Sequence, residues 1–114
     1  MNGIDPPVHD AFTQALSGEV YTDPLTVGLY STDASMYQLA PRLVIIPRDR
    51  ADILKAVRLC SQYGLPLLPR GGGTSLTGQS IGSGVVLDLS KYCDRILELN
   101  VREQWVRVEP GLVC

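Results

Sequence analysis

Two short apolar runs flank one amphipathic stretch in residues 43–69, LVIIPRDRADILKAVRLCSQYGLPLLP. Leu43, Val44, Ile45 and Ile46 form an unbroken run of β-formers ended by Pro47, the pattern of a strand buried on both faces. Asp49 then suits a helix N-cap, with Asp52 in the first turn near the positive end of the dipole. Ile53, Leu54, Ala56, Val57, Leu59, Cys60 and Tyr63 supply a broad apolar face, and Gly64 can close the helix in the left-handed region. Residues 65–69, LPLLP, read as a second strand. A strand, helix and strand in that order make a right-handed crossover between parallel strands. The segment after Pro69 therefore leaves the carboxyl edge of a parallel sheet, where open α/β sheets place ligands.

That exit segment is PRGGGTSLTGQS, residues 69–80, which holds four of the chain's eleven glycines and no acid. Gly71, Gly72 and Gly73 remove every Cβ and allow positive φ, so consecutive N–H groups can gather round one anion. Phosphate oxygens are the usual guest of such a loop. Spacing separates the templates. A GxGxxG fingerprint starting at Gly71 needs glycine at 76, which is Leu76, and no helical pattern comes after it. GxxxxGK[ST] fits Gly73 to Ser80 except that Gln79 replaces the lysine, and a strand rather than a helix comes next. A structural glycine turn is the third reading.

The remaining segments bound the rest. Residues 7–17 place Val8, Phe12, Ala15 and Leu16 at helical spacing, with Gly18 as the stop. Residues 19–41 keep no steady period and read as mostly loop, in which Tyr30, Asp33 and Tyr37 serve packing and turns. Residues 84–89, GVVLDL, form a third strand, 90–94 a tight connection, and 95–100 with 104–110 a hairpin. In that hairpin Val106 and Val108 face one way, and Trp105, Arg107 and Glu109 the other, with Trp105 covering the sheet. The fold class is α/β (α+β), a small parallel or mixed sheet with flanking helices.

Composition narrows the function classes. The net charge is −2 and the basic residues alternate with acids, which disfavours a nucleic-acid surface. No apolar run reaches the ~20 residues of a membrane span, and the first residues carry no basic leader, so a cytoplasmic chain is expected, membrane-peripheral at most. Cys60, Cys93 and Cys114 are odd in number and far apart, as reduced thiols without a metal site are. His9, the one histidine, lies in the first helix and reads as a surface or packing residue.

PRGGGTSLTGQS, with the strand before it and GVVLDLSKYCDRILELN and QWVRVEPG after it, resembles the pyrophosphate loop of the vanillyl-alcohol oxidase and p-cresol methylhydroxylase flavoproteins. VGLYSTDASMYQLAPRLVIIPR resembles the bacterial D-lactate and glycolate dehydrogenase branch, whose long members append an iron-sulfur domain. The resemblance covers residues 26–113, so 1–25 are expected to be an N-terminal helix and linker. Residues 26–114 are then the front of an FAD-binding domain that is incomplete at its C-terminal end.

By that resemblance, backbone amides of Arg70, Gly71, Gly72, Gly73, Thr74 and Ser75 hold the FAD pyrophosphate. Thr74, Ser75, Gln79 and Ser80 add side-chain bonds, Gly78 completes the loop, and Pro47 and the turn at Pro110 and Gly111 lie near the adenosine end. Pro69 sets the start of the loop, and Arg70 contributes electrostatics or loop anchoring. The pattern RxGGHS, which tethers flavin through histidine in some members, has Thr74 at the histidine place, implying noncovalent FAD. The implied activity of the complete protein is oxidation of a D-2-hydroxy acid by hydride transfer to FAD, with electrons passed to another acceptor. The chain alone is expected to be inactive, with no catalytic residue and no metal of its own, and to self-associate through an exposed sheet edge. A P-loop-like nucleotide module and a noncatalytic interaction fragment are the alternatives.

Overall fold

The computed structural model of the chain describes residues 4–113. Its elements run α1 (Pro6–Ala15), β1 (Glu19–Tyr21), α2 (Pro24–Leu29), β2 (Leu43–Ile46), α3 (Arg50–Tyr63), β3 (Leu67–Arg70), β4 (Val85–Asp88), β5 (Ile96–Asn100) and β6 (Trp105–Val108). The first four strands form one mixed sheet in the order β1-β2-β4-β3, and β5 and β6 pair separately. β4 lies parallel to both β2 and β3, while β1 runs antiparallel to β2. The expected crossover thus joins parallel strands, with β4 inserted between them.

The central strands explain the apolar runs. Every residue of β2 and β4 is buried, and one face of the pair packs against α1 and α3. Leu43, Ile45, Val85 and Leu87 pack with Phe12, Leu16, Ala56, Cys60 and Cys93. Each large side chain buried there contributes about 2 kcal/mol. Cys60 and Cys93 are buried free thiols, and burial pushes the Cys60 pKa up to about 11, so Cys60 is packing rather than nucleophile. Pro69 sits in β3, an edge strand, where its missing N–H breaks no central ladder.

α3 follows its sequence signals closely. The Asp49 side chain accepts the Asp52 N–H at 3.0 Å, and Gly64 caps the other end at φ 65°. Its apolar face is narrower than the sequence suggests, since Leu54, Val57 and Tyr63 are 50%, 47% and 39% exposed. β3 begins at Leu67 rather than 65, because the Leu65 N–H turns back to the Cys60 carbonyl at 2.8 Å. α1 ends at Ala15 rather than running to residue 17. Leu16 drops into the core in extended conformation, and Asp52 captures the N–H groups of Ser17 and Gly18.

Residues 19–41 are mostly loop as read, but they also carry two short elements, β1 and α2. β1 is three residues long and takes its definition from pairing with β2, which local sequence does not carry. α2 has a legible start, with Pro24 after an Asp23 side chain that accepts the Thr26 N–H at 2.9 Å, but six residues are too few to show a period. The hairpin forms over Ile96–Asn100 and Trp105–Val108 with a register shift between Ile96 and Glu98. Arg107 bonds Glu98 at 3.2 Å and stands 5.8 Å from the Trp105 ring centre. Trp105, at 39% exposed, is partly covered on the face it shares with Arg107 and Glu98. No helix among the described residues is long and apolar enough to cross a membrane.

Candidate functional site

β3 and β4 stay paired to the end of β3, where the Leu89 N–H donates to the Arg70 carbonyl at 2.9 Å. Beyond that bond the chain leaves the sheet through Gly71, Gly72 and Gly73. Only Gly73 of the three has positive φ, at 70°, and Gly78 repeats the left-handed conformation at 80° on the far side of the loop. Among the described residues, the N–H groups of Gly72, Gly73, Thr74 and Ser75 find no protein acceptor. Unpaired amides in series form a partial positive charge with several donors, the chemistry of an anion cradle.

The segment after α2 braces this loop. The Ala34 N–H donates to the Gly73 carbonyl at 3.1 Å. Asp33 Oδ2 accepts from the Ser80 hydroxyl at 2.8 Å and the Ser80 N–H at 3.3 Å, and its Oδ1 accepts from the Ser35 hydroxyl and N–H. The Ser35 hydroxyl, aided by the Ser35 N–H and Ser80, lowers the Asp33 pKa to about 2 against a smaller opposing effect of desolvation. Its negative charge is thereby committed within the protein. Across the loop, Ser75 Oγ accepts the N–H groups of Thr77 and Gln79 at 3.3 and 3.2 Å, and the Ser75 and Thr77 hydroxyls donate to Gln79 Oε1. The Tyr37 ring lies so close to Gly78 that a Cβ there would stand 3.1 Å from it. Tyr37, Gln38 and Leu39 face Thr77, Gly78 and Ile81 across a cavity of about 350 Å³.

Beneath the loop, the Tyr30 hydroxyl donates to Asp88 Oδ2, and Asp88 Oδ1 accepts the Ser90 N–H at 2.8 Å and hydroxyl at 2.6 Å. Burial, then the bond to Asp88, pushes the Tyr30 pKa well above its ordinary value. Tyr30 is thus a fixed donor at neutral pH and not an acid or base.

The residues expected at the site are spread unevenly around it. Gly71, Gly72, Gly73, Thr74, Ser75, Gly78, Gln79 and Ser80 share the loop, with Gly72, Thr74 and Gln79 exposed. The turn at Pro110 and Gly111 abuts its start, the Pro110 carbonyl lying 3.8 Å from where a Gly71 Cβ would stand. Pro69 is exposed on β3, whereas Pro47 is fully buried with its carbonyl 3.8 Å from Cys93 Sγ. His9 lies on α1 beside Asp10, at 3.6 Å. Tyr30, Asp33 and Tyr37 do pack and turn as read from sequence, but what they hold is the loop. Asp88 escaped sequence reading because it sits inside an apolar strand, where its acid was the only signal. Among the described residues no cluster of His, Cys, Asp or Glu is arranged to hold a metal. No helix lies between Ser80 and β4, so the P-loop template lacks its helix as well as its lysine.

The loop fits an FAD pyrophosphate on structural grounds: serial unpaired amides, no Cβ on their first two residues, and a neighbouring carboxylate already committed to Ser35 and Ser80. Fold and loop together define a mixed α/β FAD-binding domain of the vanillyl-alcohol oxidase and p-cresol methylhydroxylase type. The chain belongs to the family described as FAD binding domain, whose model matches residues 41–114.

Among curated relatives, D-2-hydroxyglutarate dehydrogenase of Escherichia coli (strain K12) is 45% identical over 96 residues, covering 82% of this chain and 9% of that protein. The mitochondrial D-lactate dehydrogenase [cytochrome] of Kluyveromyces lactis is 41% identical over 76 residues, covering 63% and 13%. The chain thus spans about a tenth of the length of these relatives. The fold is shared with solved structures, two of which illustrate the match. Alkyldihydroxyacetonephosphate synthase superposes with a TM-score of 0.81 at 18% identity over 96% of this chain and 23% of that one. p-Cresol methylhydroxylase does so with a TM-score of 0.73 at 18% identity over 93% and 22%.

Proposed function

We propose that the chain is the pyrophosphate-holding portion of a flavin-dependent dehydrogenase whose complete form oxidises a D-2-hydroxy acid of the lactate or glycolate kind. The observation that carries the reading is the row of unpaired amides from Gly72 to Ser75 at the carboxyl edge of β3. The names of the two relatives, both dehydrogenases of D-2-hydroxy acids, support the substrate class.

FAD bound there supplies the acceptor for the hydride that leaves the carbon bearing the alcohol. This chain's own part is binding. Backbone amides of residues 70–75 hold the pyrophosphate, and the hydroxyls of Thr74, Ser75 and Ser80 with the Gln79 amide add bonds along the dinucleotide. The turn at Pro110 and Gly111 shapes the adenosine end, and buried Pro47 backs that turn through Cys93, which touches the Pro47 carbonyl and accepts the Gly111 N–H. Thr74 has no ring nitrogen to join a flavin, so this loop holds FAD without a covalent bond. The base that takes the hydroxyl proton and the cations that hold the substrate carboxylate are supplied outside this chain.

Titration with FAD, ADP and Mg-ATP, read by flavin fluorescence and calorimetric heat, tests the reading. Gly72→Asp is the control, because a Cβ at Gly72 meets only Thr74 Cγ2 at 3.7 Å and the fold can accept it. Saturable FAD binding that the variant loses is expected. Preference for Mg-ATP, or equal binding by the variant, would refute the proposal.

A further inference from the structure

Arg70 brings a full positive charge to the base of the loop, yet its guanidinium is already engaged by the protein. Nη1 donates to the Ser80 carbonyl at 3.2 Å and to the Tyr30 carbonyl at 3.4 Å. Its Cζ stands 5.1 Å from the centre of the Tyr30 ring. The guanidinium also lies directly under Gly73, where a Cβ would come within 2.5 Å of Nη2 and 3.0 Å of Cζ. One planar group therefore touches the first turn of the loop at residue 73, its far end at residue 80 and the end of α2 at residue 30. Tyr30, which backs it, is itself fixed by Asp88, the residue paired with Arg70 across β3 and β4.

We propose that Arg70 is a positioning residue that clamps the two ends of the loop against Tyr30. The amides of residues 72–75 are thereby presented as a set, and Arg70 does not itself neutralise the phosphate. The inference rests on the reading of the loop as the FAD pyrophosphate site. Arginine suits the task because Nη1 alone serves two carbonyls while the rest of its plane fills the space under Gly73 and faces an aromatic ring. A lysine ammonium keeps the charge but has no plane to fill the space under Gly73, where Nη2, Cζ and Nε of Arg70 lie.

Clamping and direct charge contact predict different experiments. If losing the clamp leaves the loop competent in about a tenth of molecules, apparent FAD affinity falls about tenfold. Arg70→Met is expected to show that loss while keeping the wild-type slope of affinity against salt concentration, and Arg70→Lys is expected to behave like Arg70→Met. A direct phosphate contact would instead flatten the salt slope in Arg70→Met and be rescued by Arg70→Lys.

Amide hydrogen exchange without any ligand gives a second readout. The N–H groups of Ala34 and Ser80, bonded to the Gly73 carbonyl and Asp33, should exchange at least about tenfold faster in Arg70→Met, by the same population arithmetic. Those of Ile53 and Leu65, bonded around α3, should be unchanged, showing that the fold persists. Unchanged exchange at Ala34 and Ser80, or a flattened salt slope with lysine rescue, overturns the clamp. Failure of the wild-type chain to bind FAD overturns the reading of the loop instead, and the exchange comparison still decides the clamp.

Discussion

Asp52 accepts the backbone N–H of Gly18 at 2.8 Å across 34 residues of chain. The same carboxylate takes the N–H groups of Ser17 and Arg48, each at 2.9 Å, and the Ser17 hydroxyl at 3.1 Å, while only 1% exposed. It welds the start of β1 and the end of β2 to the first turn of α3. Asp52→Ala would leave buried donors without partners and should cost about 3 kcal/mol in urea unfolding. Burial raises the Asp52 pKa, but the N–H groups of Arg48, Ser17 and Gly18 outweigh it and hold the pKa below its ordinary 3.8. Its stabilising effect is therefore full above about pH 4 and lost as pH falls through the depressed value. Unfolding free energy measured from pH 6 to pH 2 should fall less steeply in Asp52→Asn than in the wild type.

Neighbouring glycines of the loop should fail in different ways. Gly73 sits at φ 70° with the Arg70 guanidinium filling the place of a Cβ. Gly73→Ala should destabilise the chain by about 1–2 kcal/mol from the left-handed backbone, with the displacement of Arg70 adding to it. Gly72 has no such constraint, and Gly72→Ala should stay within about 0.5 kcal/mol of wild type. Chemical denaturation of the two variants side by side separates strain in the loop from loss of its ligand contacts.

The sequence displayed those parts of the fold that rest on local chemistry. β2, α3 with its Asp49 and Gly64 caps, and the exit of the glycine loop from a parallel strand all derive from neighbours in the chain. β1 and the order β1-β2-β4-β3 depend on pairing between distant segments, so no local period announced them. The loop's glycines and hydroxyls were legible as anion chemistry, and the family likeness made FAD their expected guest. Their supports were not, because the bonds from Asp33 to Ser80 and from Arg70 to Tyr30 join residues 47 and 40 positions apart. An aspartate in a polar turn looks alike whether it solvates a loop or ties down another one.

Gly111 shows the same limit in a single residue. In sequence it closes a Pro-Gly turn, but a Cβ there would fall on the Leu89 carbonyl oxygen and lie 2.7 Å from the Cys93 carbonyl oxygen. Its N–H donates to that same Cys93 carbonyl at 2.8 Å, so the backbone cannot swing away without breaking the bond. Gly111→Ala should cost at least about 2 kcal/mol, the scale of overpacking a closed core. A thermal melt that matched the wild type would show that the turn at Pro110 and Gly111 is not docked on Leu89 and Cys93.

Thr74 makes a chemical prediction rather than an energetic one. Its hydroxyl cannot form the ring-nitrogen linkage of a histidyl flavin, so acid-denatured holoprotein should release all of its flavin. A mass spectrum of the denatured chain retaining the added mass of FAD would contradict noncovalent attachment through this loop.

Asp33 should report the integrity of the loop through pH. The Ser35 hydroxyl is the largest cause of its depressed pKa of about 2, with Ser80 adding to it. A carboxylate whose folded pKa lies below its unfolded 3.8 holds its partners most firmly above about pH 4 and releases them as pH falls toward 2. The Ser80 amide resonance, which reports the bond to Asp33 Oδ2 at 3.3 Å, should therefore titrate with a midpoint near pH 2. Asp33→Asn should abolish that titration and speed Ser80 exchange at neutral pH, while the Leu89 amide bonded to Arg70 keeps its protection. A midpoint near 4 in the wild type would mean that Asp33 is solvated and does not hold Ser80.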